Sequence, residues 1–229
     1  MEPSTTPWRV LEDPPAAGAV APRRTPVTGS RTVLVPRERV VRWFENFAAG
    51  HGDVVLSVSS DGLHAAAADG ASAVARLPFG EVYDGPADPS AFAAAVTMPM
   101  RWGILLVRKG GFAVATVVRG RVADSKVGQR HVQGRTKAGG QSQQRFARRR
   151  DNQARQANEA AADHAARILR RGVLVTGGDH VAVDEVLADQ RLRAFTVVEP
   201  WLPVPDPRRA VLDQAIRDAT SVHVRVVNA

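Results

Sequence analysis

The 229-residue chain has no cysteine and a single tyrosine, and aromatic residues make up 5% of it. Without cysteine, disulfides and thiolate metal sites are excluded, which suits a reducing compartment. No uninterrupted apolar run approaches the ~20 residues that cross a bilayer. The first residues lack the basic-then-apolar pattern of a secretory signal. The expectation is a soluble, cytoplasmic protein with no membrane partner. The histidines (His51, His64, His131, His164, His180, His223) show no metal-ligand spacing, so no metal site and no cofactor are expected. Neither the lysine-bearing loop of P-loop nucleotide sites nor the serine elbow of acyl hydrolases is present. What remains is 44% hydrophobic, enough to bury a core in one large domain or two small ones.

The net charge of +8 is unevenly placed. Between Arg119 and Arg171 there are fourteen Lys/Arg against four Asp/Glu, and the remainder carries seventeen against nineteen. The entire excess sits in one quarter of the chain. A solvated helix face is the plain reading of a charge run. Concentration on one segment, with the rest slightly acidic, points instead to a surface for a polyanion.

Residues 1–30 contain Pro3, Pro7, Pro14, Pro15, Pro22 and Pro26 among few apolar positions, and read as a disordered tail. Residues 31–97 read as a smaller α+β unit. Its helix opens at Pro36 and ends near Gly50. Strands at 53–59 and 71–77 follow, joined through Asp61-Gly62 and Asp69-Gly70 turn signals, with a short helix at 91–96. Residues 98–229 are expected to form the larger domain. Strands are predicted at 102–107, 112–118 (continuing through 120–123), 173–176 and 195–198, and helices at 142–171, 182–187 and 208–219. The polar stretch 124–144 has no hydrophobic period and reads as a mobile loop. Gly172 is expected to cap the long helix, whose inner stripe is Phe146, Ala154, Ala157, Ala161, Ala165 and Ile168. Trp43, Trp102 and Trp201 read as core residues, and Gly177-Gly178-Asp179 as a strand-to-helix turn. Strands and helices alternate over a mixed sheet flanked by helices, so the class is α/β.

Within the basic quarter, residues 134–150 read GRTKAGGQSQQRFARRR. Arg145, Arg148, Arg149 and Arg150 fall in the first turns of the long helix, where the macrodipole disfavours cations by roughly 0.3–1 kcal/mol each. Helix stability does not explain them, whereas phosphate does, since it favours that end of a helix and arginine grips it bidentately.

Gly139-Gly140-Gln141-Ser142-x-x-Arg145-Phe146-Ala147-x-x-Arg150 resembles the catalytic loop of the eukaryotic and archaeal class 1 polypeptide release factors. There the same tripeptide leads into an arginine-rich helix. The resemblance runs from about Trp102 to the C-terminus, including Gly172-Val-Leu-Val-Thr-Gly-Gly-Asp179 and Asp189-Gln-Arg-Leu192. It covers the central catalytic domain of those factors. Their stop-codon-reading domain uses a cysteine-containing motif, which this chain lacks, and no third domain for a translational GTPase is expected. The combination resembles the release-factor-like peptidyl-tRNA hydrolases of ribosome quality control, in their compact bacterial form. Lys137-Ala138 stands where release factors commonly carry Gly-Arg. The middle glycine, which rescue hydrolases often replace, is kept as Gly140.

The resemblance implies a release-factor central-domain fold and a ribosome-dependent peptidyl-tRNA hydrolase acting on stalled ribosomes or large subunits. Gly139, Gly140 and Gln141 are the implied catalytic residues, and Arg135, Lys137, Arg145, Arg148, Arg149 and Arg150 the RNA-binding ones. The implied partners are the peptidyl-transferase centre of the large subunit and peptidyl-tRNA, met by a monomer. A non-catalytic ribosome- or RNA-binding protein on the same fold is the alternative. A two-metal nuclease lacks the clustered carboxylates.

Overall fold

The computed structural model describes residues 7–10, 29–109, 111–129 and 141–228, with backbone alone for 129 and 141–154. Two compact units emerge, Met1–Thr97 with Thr220–Ala229, and Met98–Ala219.

In the first unit, β1 (Trp8–Val10), β2 (Ser30–Val35), β3 (Val54–Ser59), β4 (Gly62–Ala67), β5 (Ser72–Arg76) and β11 (Val222–Val227) form one sheet. Its order is β1-β3-β4-β5-β11-β2. Only β1 and β3 run parallel. α1 (Val40–His51) buries Val40, Phe44, Phe47 and Ala48, the spacing of a single helical face. That face shares a core with Leu56, Leu63, Val222, Val224 and Val226. α2 (Pro89–Ala95) starts at an Asp88 cap that accepts from the Ala91 N–H, and buries Phe92 in a T-shaped contact with Tyr83.

Three features of this unit depart from the sequence expectation. Trp8–Val10, inside the stretch expected to be disordered, pairs with β3, and Trp8 packs against the core. β4 fills the interval between the two expected strands. The chain's last strand belongs here, not to a 98–229 domain: β11 pairs with both β2 and β5, and its alternating valines complete this core. Period-2 alternation fixes which face of a strand is apolar but not which sheet receives it.

The second unit is built on β6 (Arg101–Arg108), β7 (Gly111–Val118), β8 (Arg121–Gln129), β9 (Gly172–Gly178) and β10 (Phe195–Leu202), in the order β10-β9-β6-β7-β8. β10, β9 and β6 are parallel; β6, β7 and β8 are antiparallel. β6 and β7 are buried along nearly their whole length, as strands covered on both faces must be. α3 (Gln141–Ile168) and α4 (His180–Leu187) pack on Leu105, Val107, Phe112, Val114 and Leu174. α5 (Arg209–Ala219) contacts β10 and β7, burying Leu212, Ala215 and Ala219. The class is α/β, as expected.

Here too the bounds shift. The polar stretch expected to loop from 124 is strand to Gln129, because β8 pairs with β7 through Gln129↔Gly111. At its other end, 141–144 is helical backbone. α3 ends at Ile168, so Gly172 is not its cap; with φ +133° it opens β9. Asp179 caps α4 through the Ala182 N–H, the plain turn expected of Gly177-Gly178-Asp179. Trp102 is a core residue, but Trp43 and Trp201 are half-buried, the latter stacked on His180. No described helix is long and apolar enough to cross a membrane.

Candidate functional site

α3 is 28 residues long, about 40 Å from Gln141 to Ile168 at 1.5 Å per residue. Its far end is built into the second unit. Ala161, Ala165 and Ile168, expected on the inner stripe, are buried with Ala162 and Leu169. Alanines at these turns bring the helix axis close to the sheet. Thr116, itself buried on β7, donates its hydroxyl to the Ile168 carbonyl at 2.8 Å. Arg170 donates to the carbonyls of Arg167 and Leu169. Two orphan acceptors of the last turn, the Arg167 and Ile168 carbonyls, are thus satisfied by side chains.

A stack of three residues ties α3 to the strand leading towards Gly139. Phe112 and Gly128 are paired across β7 and β8. A Cβ on Gly128 would meet the Phe112 ring at 2.3 Å, so only glycine leaves that ring its place. On α3, His164 stacks on the same ring, 5.4 Å between centroids and 28° between planes. Arg167 donates to His164 Nδ1 at 2.8 Å. A guanidinium can only donate, so this nitrogen is unprotonated and the imidazole neutral. Burial first, then the charges of Arg167 and Lys126, hold the His164 pKa below its ordinary value, with Asp163 pulling the other way.

Polar ties add orientation along α3. Asn158 donates to Glu185 of α4. Arg191, in the short turn Gln190–Leu192, bonds Asp163 of α3 at 2.7 Å and Asp189 at 2.6 Å. Hydrogen bonds from Arg191 pull the Asp189 carboxyl down to about 2 and push the guanidinium further up. Arg191 and Asp163 are exposed and Asp189 is half-buried at the surface, so these pairs set direction more than stability. The Asp189-Gln-Arg-Leu192 segment is therefore a brace for the helix.

Of the expected site residues, Gln141 is the first residue of α3, and Arg145, Arg148, Arg149 and Arg150 occupy its first turns. The side chains of all five lie outside the described residues, as do Arg135, Lys137, Gly139 and Gly140 altogether. Of the mount, only Arg191 is marked in the sequence, inside the Asp189-Gln-Arg-Leu192 segment; Thr116, Phe112, Gly128 and His164 are not singled out there. A glycine within a strand, which marks close approach by a neighbour, is the signal Gly128 carries. Among the described residues no group of His, Asp or Glu is placed to hold a metal ion.

A helix braced at one end on a mixed sheet begins at Gln141, the residue that follows Gly139-Gly140 in the sequence. The family described as Actinobacteria/Chloroflexi VLRF1 release factor matches residues 100–225, more than half of the chain. The chain belongs to that family of release factors. Among solved structures, the crystal structure of an archaeal translation termination factor, aRF1, matches at 14% identity and a TM-score of 0.33. That match covers 52% of this chain and 34% of the other, about a third of its length. No curated protein matches.

Proposed function

We propose that this protein is a ribosome-dependent peptidyl-tRNA hydrolase that frees nascent chains from stalled ribosomes or large subunits. One observation carries the reading. Gln141, preceded in the sequence by Gly139 and Gly140, opens a 28-residue helix whose other end is locked in a core.

In the proposed reaction, water attacks the carbonyl carbon of the ester. The bond from that carbon to the tRNA ribose oxygen breaks, the peptide leaves with a free carboxyl group, and the ribose oxygen takes up a proton. Gln141 has no titratable side chain and cannot be the general base. Its contribution is placement: the backbone N–H faces the developing oxyanion or the leaving hydroxyl, and the side chain keeps room for one water. Gly139 and Gly140 let the backbone approach the terminal adenosine without a Cβ in the way. Proton transfer falls to groups of the tRNA and ribosome. Arg135, Lys137, Arg145, Arg148, Arg149 and Arg150 hold RNA phosphates, which offset the cost of cations beside the helix N-terminus. The protein acts as a cytoplasmic monomer at the peptidyl-transferase centre.

The test is incubation with stalled ribosome–nascent chain complexes, following the loss of peptidyl-tRNA. Release of peptide supports the proposal. Stable binding without release would make the protein a binder on the same fold.

A further inference from the structure

In the first unit, β2 is an edge strand, hydrogen-bonded on one side only among the described residues. It ends at Val35, and Pro36 and a 3-10 turn (Arg37–Arg39) then lead into α1. Between β2 and α1 lies a groove of about 520 Å³ whose helix side presents Arg39, Arg42, Trp43 and Asn46. That volume falls within the roughly 300–1,000 Å³ of small-molecule sites.

The lining holds two guanidinium groups and no carboxylate. Arg76, Arg108, Arg155, Arg191 and Arg209 all have carboxylate partners. Arg39 and Arg42 have none among the described residues. α1 has no acidic residue in its first turn and no side-chain cap, so cations at its start are not there for the helix's benefit. Trp43 is held in place by its neighbours. Its ring stacks on Phe47 at 5.5 Å and 15°, with Phe44 edge-on at 5.2 Å. It nevertheless stays half-buried and lines the groove, unlike the fully buried Trp102.

We infer that this groove binds an unpaired nucleotide of single-stranded RNA, its phosphate held by Arg39 and Arg42 and its base stacked on Trp43. Every base has a π-face that a fixed aromatic ring can receive. The Asn46 amide offers both a donor and an acceptor to a base edge, the way single-stranded RNA is read. An acidic peptide would satisfy the arginines but has no need of the ring. The first unit thus supplies a second RNA-binding surface, independent of the chemistry proposed for Gln141.

The test uses the full chain carrying Arg148→Ala, Arg149→Ala and Arg150→Ala, which lowers binding at α3. Its affinity for a fluorescent eight-nucleotide single-stranded RNA is measured over a salt series. Adding Arg39→Ala and Arg42→Ala should flatten the slope of log K against log salt by about 0.7 for every phosphate no longer neutralised. Trp43→Leu should weaken binding roughly ten-fold or more with little change in slope. A thiouridine-substituted RNA should cross-link to the segment containing Trp43, and duplex RNA of the same length should compete poorly. Arg39 and Arg42 are exposed, so their variant tests the groove even where Trp43→Leu lowers stability. Unchanged affinity and slope in both variants would overturn the inference. So would displacement of the RNA by poly-glutamate, with binding of that peptide abolished in the same variants, which would make the groove a peptide site.

Discussion

Phe112 of β7 lies between Gly128 and His164, its ring filling the place of a Cβ on one and stacked at 5.4 Å on the other. The ring is confined from both sides. Gly128→Ala would put a carbon 2.3 Å from Phe112 Cε1, and the ring cannot turn away without leaving His164. Overpacking of this kind costs about 1–3 kcal/mol. The denaturation midpoint of Gly128→Ala should fall accordingly, and peptide release should slow because α3 shifts. Adding Phe112→Leu to Gly128→Ala should recover part of the stability. A double variant no more stable than Gly128→Ala would show that the ring is not the obstacle.

The same imidazole gives a pH signature. Its folded-state pKa lies below the ordinary 6.5, so below that value the unfolded chain binds the proton more readily than the folded one. Stability is complete above the ordinary value and declines as pH falls from there towards the lowered value. His164→Gln should remove this part of the decline, read as melting temperature between pH 7.5 and 5. The Asp189 carboxyl acts in a separate window, losing its contribution only as pH falls from 3.8 towards about 2.

Arg148, Arg149 and Arg150 test the polyanion reading. Replacing all three with alanine should weaken ribosome or tRNA binding. The slope of log K against log salt should flatten by roughly 0.7–0.9 for every phosphate these side chains neutralise. Binding that does not change across a salt series would reduce these residues to a solvated helix face.

What the sequence reveals depends on how local each signal is. β6 and β7 are continuous apolar runs bounded by charge and glycine, and both are predicted. β8 beyond residue 123 is polar (Asp124, Ser125, Lys126) because it is an edge strand with one ladder partner among the described residues, and a backbone ladder leaves no mark on side-chain type. β4 is alanine-rich, with weak strand propensity, and is held by neighbours on both sides. β11 carries a clear period-2 pattern, yet its partners lie about 150 and 190 residues earlier in the chain. The tripeptide and its arginines are contiguous and therefore legible. The mount is not, because Phe112–His164 and Thr116–Ile168 are pairs 52 residues apart.

The most direct measurement is single-turnover release of labelled peptide from stalled complexes at saturating protein, comparing Gln141→Ala with Gln143→Ala and Gln144→Ala. Saturation removes binding from the comparison, and the two nearby glutamines share the chemistry without following two glycines. Removing one well-placed oxyanion donor costs roughly 10²–10³ in rate. Gln141→Ala, and Gly140→Ala for reasons of backbone conformation, should fall by at least that much while ribosome binding and melting temperature stay near those of the parent protein. The two control variants should keep most of the activity. Release by Gln141→Ala at the parent rate would contradict the account, however tightly the protein binds ribosomes.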